Sequence, residues 1–195
     1  MNMKKLLLSV IGVIVAQACF AAAAPAIDLG TTAGYTPYDR YMSPVKHVLT
    51  HLSGAAPTMS KVCQLMAQGR NFRYSFTDPY TAATPEVTAQ IHAGDCKAKS
   101  LWLADQLNDP NIRYVIGRAR SSSKISHAWL MWKNEGRWWI LDCTNTAQPI
   151  PADKINPSRE YIPLYSFSKD GSYRHHATEM SIASNMNNGY TVASR

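Results

Sequence analysis

Three residues in this chain are of types that together perform covalent chemistry, and they come in an order that lets them act together. Cys96 follows Gly94 and Asp95 and opens a stretch that reads as a helix. At the first turn of a helix the unpaired N–H groups and the dipole favour negative charge, so a thiol there is biased towards the thiolate and has an oxyanion position beside it. A nucleophilic cysteine also needs a base and a group that orients the base. His127 lies in an alternating run from Ile125 to Trp132, and Asp142 ends the next such run, which begins at Trp138. The chemistry these three allow is attack of sulfur on an acyl carbon, with the imidazole carrying the proton.

Whether Asp142 can serve His127 depends on register. An even turn centred on Asn134 and Glu135 pairs His127 with Asp142, Trp129 with Ile140 and Met131 with Trp138, and puts all six side chains on one face. A three-residue loop with a bulge at Gly136 reverses the parity and turns Asp142 away. Taken singly, each residue has an ordinary reading: Cys96 as a buried or bridged cysteine, His127 as a core histidine, Asp142 as a strand-end cap. Their chemical meaning comes from the set.

The elements that would position them follow from period and punctuation. A helix is expected from Ser43 as N-cap with Pro44 in its first turn, and a second from Thr58 to about Gln68, with Met59, Val62, Leu65 and Met66 inward and Gly69 as its stop. Phe72, Tyr74 and Phe76 alternate with polar residues as a short strand would. Thr84 and Pro85 start a third helix with Val87 and Ile91 inward, and Asp95 caps a fourth, from Cys96 to about Leu107. Strands then take over: one through Ile112, Tyr114 and Ile116, the two runs above, and a hairpin of Tyr161 to Phe167 with Tyr173 to His175. Helices first and an antiparallel sheet second is the α+β pattern.

Composition narrows the setting. The chain has 195 residues, 46% of them hydrophobic and 17% charged, as one globular domain would. Lysines at 4 and 5, an apolar run from Leu6 to Ala16 and small residues from Ala21 to Ala26 have the layout of a secretory signal peptide over residues 1–23, with cleavage after Ala26 as the other option. The apolar run is too short for a transmembrane anchor. Cys19 lacks a good lipidation box before it. Removing the leader takes the net charge from +7 to +5, with 18 basic residues against 13 acidic. These basic residues are scattered, which gives no support for nucleic-acid binding.

Export leaves Cys63, Cys96 and Cys143 in an oxidising compartment, an odd number. A Cys63–Cys143 disulfide would leave Cys96 free; sequence leaves that pairing open. His47 and His51 share a helix face, but with no glutamate between them they read as solvated rather than metal-binding. No metal or cofactor is expected. Residues 27–57 are expected to form an N-terminal arm and helix, 58–180 the domain that carries Cys96, His127 and Asp142, and 181–195 a polar tail.

The blocks Gly94-Asp95-Cys96, His127-Ala128-Trp129 and Trp138-Trp139-Ile140-Leu141-Asp142 resemble, in that order, the signature blocks of the transglutaminase-like superfamily. The resemblance spans residues 72–144. It implies a papain-like α+β core with Cys96 as nucleophile, His127 as base and acid, and Asp142 orienting the imidazole, and an exported cysteine peptidase or acyltransferase acting on protein or peptide amides, such as those of cell-envelope or surface proteins. Where adhesin-processing relatives carry acidic residues after the cysteine, this chain has Lys97, Ala98 and Lys99, which argues against calcium dependence. No tryptophan precedes Cys96 to supply a second oxyanion donor, leaving Tyr74 or Tyr80 as substitutes. The alternative function is a non-catalytic envelope-binding module using the hairpin tryptophans Trp129, Trp132, Trp138 and Trp139.

Overall fold

The computed structural model describes residues 27–76, 78–178 and 180; the expected signal peptide and polar tail lie outside these. In chain order the elements are β1 (Thr31–Ala33), α1 (Ser43–His51), α2 (Met59–Asn71), β2 (Arg73–Tyr74), α3 (Pro85–Ile91), β3 (Ala93–Gly94), α4 (Cys96–Leu107), β4 (Ile112–Arg120), β5 (His127–Asn134), β6 (Arg137–Leu141), β7 (Ile150–Pro151), β8 (Glu160–Ser168) and β9 (Gly171–Arg174), with two short 3-10 turns at Asp39–Tyr41 and Ala152–Lys154. Seven strands form one antiparallel sheet in the order β1-β9-β8-β4-β5-β6-β7, while β2 and β3 make a small parallel pair. This is the α+β architecture, with helices packed on an antiparallel sheet.

The centre of the fold is α4. Asp95 starts it by accepting the N–H groups of Lys97 and Ala98 at 2.9 and 3.1 Å. Cys96, every residue from Ala98 to Ala104, and Leu107 are buried, as in a helix surrounded by protein rather than one with a wet face. α1, α2 and α3 pack on it from one side and β4 and β5 from the other. The sheet alternates accordingly. Tyr114, Leu130, Trp132 and Leu141 face the helices. Val115, Trp129, Met131 and Ile140 face the opposite side, under Ile27 and Ala152.

At β1 the N-terminal arm joins the sheet as an edge strand against β9. Asp28 lies 3.3 Å from Nδ1 of the fully buried His175 and accepts the backbone N–H groups of Gly30 and His176 at 2.8 and 2.7 Å. Burial opposes ionisation of this carboxyl, but the hydrogen bonds from His175, His176 and Gly30 outweigh it and lower the pKa to about 2.

Several expectations need correcting. The β5–β6 turn is Glu135-Gly136, both with positive φ (49° and 77°), the backbone of the two-residue hairpin turn whose twist suits the strands. Met131 therefore pairs with Ile140 and Lys133 with Trp138, an offset of two residues from the expected register that keeps every side chain on its expected face. In α3 the inward face is Pro85 and Thr88, whereas Val87 and Ile91 are exposed. The α1 N-cap is Met42, one residue before Ser43.

Gly69 does not end α2. It lies inside that helix, where a Cβ would sit 2.9 Å from both Cys143 Sγ and Trp102 Cζ3. Cys63, Cys96 and Cys143 are all free thiols. The Cys143 sulfur packs over Gly69, and six residues of helix, about 9 Å, separate Gly69 from Cys63, which is beyond disulfide reach. Alanine for glycine inside a helix normally stabilises by about 0.5–1 kcal/mol. Here Gly69→Ala is expected to destabilise by roughly 1–3 kcal/mol through overpacking, read as a lower denaturation midpoint with an unchanged slope.

Candidate active site

Cys96, His127 and Asp142 stand at the ends of three elements that the core holds in contact. Cys96 is the first residue of α4 and 8% exposed, His127 opens β5, and Asp142 follows β6. The Ser100 hydroxyl donates to the Ala128 carbonyl at 3.1 Å within the core, tying the helix that carries the thiol to the strand that carries the imidazole.

His127 Nε2 is 2.8 Å from Asp142 Oδ2, and Asp142 has no exposed side-chain surface. The same carboxylate oxygen accepts the Asn145 amide at 2.7 Å and the Tyr161 hydroxyl at 3.0 Å. The other accepts the backbone N–H groups of Thr144 and Asn145 at 3.1 and 3.3 Å. Burial pushes Asp142 towards the neutral acid, but these hydrogen bonds and the charge of His127 hold it below the ordinary carboxylate value. Burial likewise disfavours charged His127, yet hydrogen bonds to Asp142 and Cys96, with the charges of both, raise it from 6.5 to about 9. The imidazole and the Cys96 thiol share the wall of one cavity, and the thiol is the second contributor, after Asp142, to raising the ring.

Sequence reading missed Asn145 and Tyr161. Asn145 has a local signal: it follows Asp142 by three residues in Asp-Cys-Thr-Asn, a spacing that folds into a side-chain-capped turn, and its N–H also bonds the Asp142 carbonyl at 3.1 Å. Tyr161 has none. It comes from β8 with a φ of 46°, a left-handed conformation that costs a non-glycine residue roughly 1–2 kcal/mol. Its ring packs edge-on to Trp129 at 5.5 Å, and Trp129 stacks under His127 at 6.0 Å.

The oxyanion side is less symmetrical. The Asp95 cap takes the N–H groups of Lys97 and Ala98 and leaves that of Cys96 out of its bonds. Of the two tyrosines suggested by sequence, Tyr74 pairs with Gly94 across β2 and β3 and is held in its neutral form by burial and by the charges of Cys96 and Asp95. Tyr80 instead stacks on Tyr41 at 4.5 Å. Both border a cavity of about 310 Å³ that has Cys96 and His127 in its wall. Among the described residues no cluster of three or more His, Cys, Asp or Glu side chains could hold a metal.

The chain joins this site to an α+β fold, with the cysteine at a helix start packed on an antiparallel sheet. Among solved structures it is similar to Legionella pneumophila LapG in its calcium-bound form, at 19% identity and a TM-score of 0.48 over 72% of this chain and 81% of that one. EGTA-treated LapG from the same organism is similar at 18% identity and a TM-score of 0.47, over 66% of this chain and 72% of that one. No protein-family model and no curated protein sequence matches the chain.

A histidine raised on folding stabilises the folded state fully below its unfolded value of 6.5, and this contribution is lost as pH rises through about 9. The His127 ring should therefore titrate by NMR with a midpoint near 9. Asp142→Asn should lower that midpoint most and Cys96→Ala should lower it less; a wild-type midpoint near the unfolded value would mean the three groups are not coupled. Tyr161→Phe, which removes a hydrogen bond to a buried carboxylate, should cost about 1.5–3 kcal/mol in chemical denaturation.

Proposed function

We propose that this protein is an exported thiol hydrolase or acyltransferase acting on a protein or peptide amide, and in the first instance a cysteine peptidase. The observation that carries the reading is the buried His127–Asp142 contact at 2.8 Å, with His127 sharing a cavity wall with a thiol at a capped helix start. His127 takes the Cys96 proton, and the thiolate attacks the amide carbonyl. The tetrahedral oxyanion is held by the Cys96 N–H and by the Tyr74 hydroxyl. Imidazolium then protonates the departing amine, leaving a thioester on Cys96. Water resolves that thioester in a peptidase, and a second amine resolves it in a transamidase. Asp142 keeps the imidazole in the productive tautomer, and Asn145 and Tyr161 hold Asp142.

Residues 1–23 supply the route to the periplasm or beyond, and no helix among the described residues is long and apolar enough to cross a membrane. The substrate in this reading is a polypeptide, such as a cell-envelope or surface protein. The binding-module reading is left with Trp138 and Trp139, which are half-buried, because Trp129 and Trp132 have no exposure.

Iodoacetamide at neutral pH tests the reading directly. Cys96 should alkylate at least tenfold faster than an unactivated thiol, and His127→Ala should abolish that excess. Cys143, whose burial raises it to about 12, should stay unlabelled in the folded protein. The rate at Cys96 should be the same in calcium and in EDTA, since lysines at 97 and 99 follow the thiol. A Cys96 that labels no faster than Cys63 would sink the proposal.

A further inference from the structure

We propose that the cavity beside Cys96 receives an uncharged apolar side chain, aromatic or branched aliphatic, from the polypeptide segment that carries the attacked amide. This rests on the reading of Cys96 as the nucleophile and adds a substrate class to it. Large apolar residues are exposed singly on most proteins, and a cluster of them marks a contact surface. Tyr74, Phe76, Tyr80 and Ile125 are 55, 64, 47 and 80% exposed, and all four border the cavity that has Cys96 and His127 in its wall. At about 310 Å³ the cavity falls in the range of small-ligand sites.

The site is built rather than incidental. Phe76, Pro79 and Tyr80 make one wall, next to the Ser75 N–H that donates to the Gly94 carbonyl at 3.2 Å and with Tyr80 stacked on Tyr41. Ile116 and Ala128, neighbours across β4 and β5, lie behind it.

Charge sets the selectivity. Among the described residues no carboxylate lines the cavity, and the lysine that does, Lys97, has its Nζ 2.5 Å from Asp95 and 5.2 Å from the centre of the Phe76 ring. Its charge is already answered within the chain. A Glu, Asp, Lys or Arg side chain entering here would give up water and find no free partner, whereas an apolar one would cover aromatic surface at no such cost.

The test is an NMR titration of the full-length Cys96→Ala protein with blocked tripeptide amides, acetyl-Ala-X-Ala-amide, where X is Phe, Leu, Glu or Lys. The Phe and Leu peptides should shift the resonances of Phe76 and Ile125 and bind at least tenfold more tightly than the Glu and Lys peptides. Adding Phe76→Ala or Ile125→Ser should reduce that ratio to threefold or less. Equal affinities for all four peptides, no binding by any of them, shifts confined to other residues, or a ratio that survives both substitutions would overturn the proposal. Alkylation of wild-type Cys96 is read separately. A reactive thiol with a flat peptide series removes the apolar site and keeps the chemistry, and an apolar preference beside an inert thiol does the reverse.

Discussion

A carboxylate with no exposed surface must have its charge answered by protein, and Asp142 imposes that requirement on everything around it. Four residues meet it through hydrogen bonds: His127 from β5, Thr144 and Asn145 from the turn after β6, and Tyr161 from β8. Each of these elements owes its position to the sheet. Tyr161 accepts a left-handed backbone to reach the carboxylate, so the chain tolerates local strain in order to complete the shell. Lys99 adds a more distant positive charge from within the helix layer, where its Nζ donates to the Phe72 carbonyl at 2.6 Å.

The same shell explains how a single imidazole can be drawn towards two groups. A carboxylate fixed by several donors cannot swing away, so the His127 ring is held where its Nε2 is engaged, in the same cavity wall as Cys96. Rigidity comes from both faces of the sheet. The helix-side core locks Ala128 and Leu130, while the opposite core locks Trp129, whose ring stacks beneath the imidazole. A reacting group held by packed secondary structure is placed more accurately than one held by a loop.

What sequence could reveal here was local or periodic. The cap at Asp95, the helix start at Cys96 and the alternation of the strands each depend on neighbouring residues, and parity alone put His127 and Asp142 on one face. The two-residue register offset escaped because it depends on where the turn closes, and a glutamate at 135 is a poor advertisement for positive φ. Tertiary choices were hidden as well. Gly69 looked like a helix stop because glycine usually is one, but the close approach of Cys143 and Trp102 requires it. Val87 and Ile91 have the period of a buried face, yet α3 turns its Thr88 side to the core. Tyr161 meets Asp142 across 19 positions of chain, and nothing near it in the sequence signals that contact.

Under the export proposed above, the Asp28–His175 contact bears on maturation of the chain. Cleavage after Ala23 or Ala26 would leave Asp28 at or near a fresh amino terminus and still inside the fold. Trimming a few residues further would remove the carboxylate that faces a fully buried histidine, leaving its ring with the Ser166 hydroxyl at 2.8 Å. Loss of residues 31–33 as well would strip β9 of its neighbour and bare a strand edge, the kind of surface that recruits other chains. Residues 28–33 are thus a structural boundary, and the point at which any N-terminal trimming stops decides whether His175 keeps its carboxylate and β9 its outer neighbour.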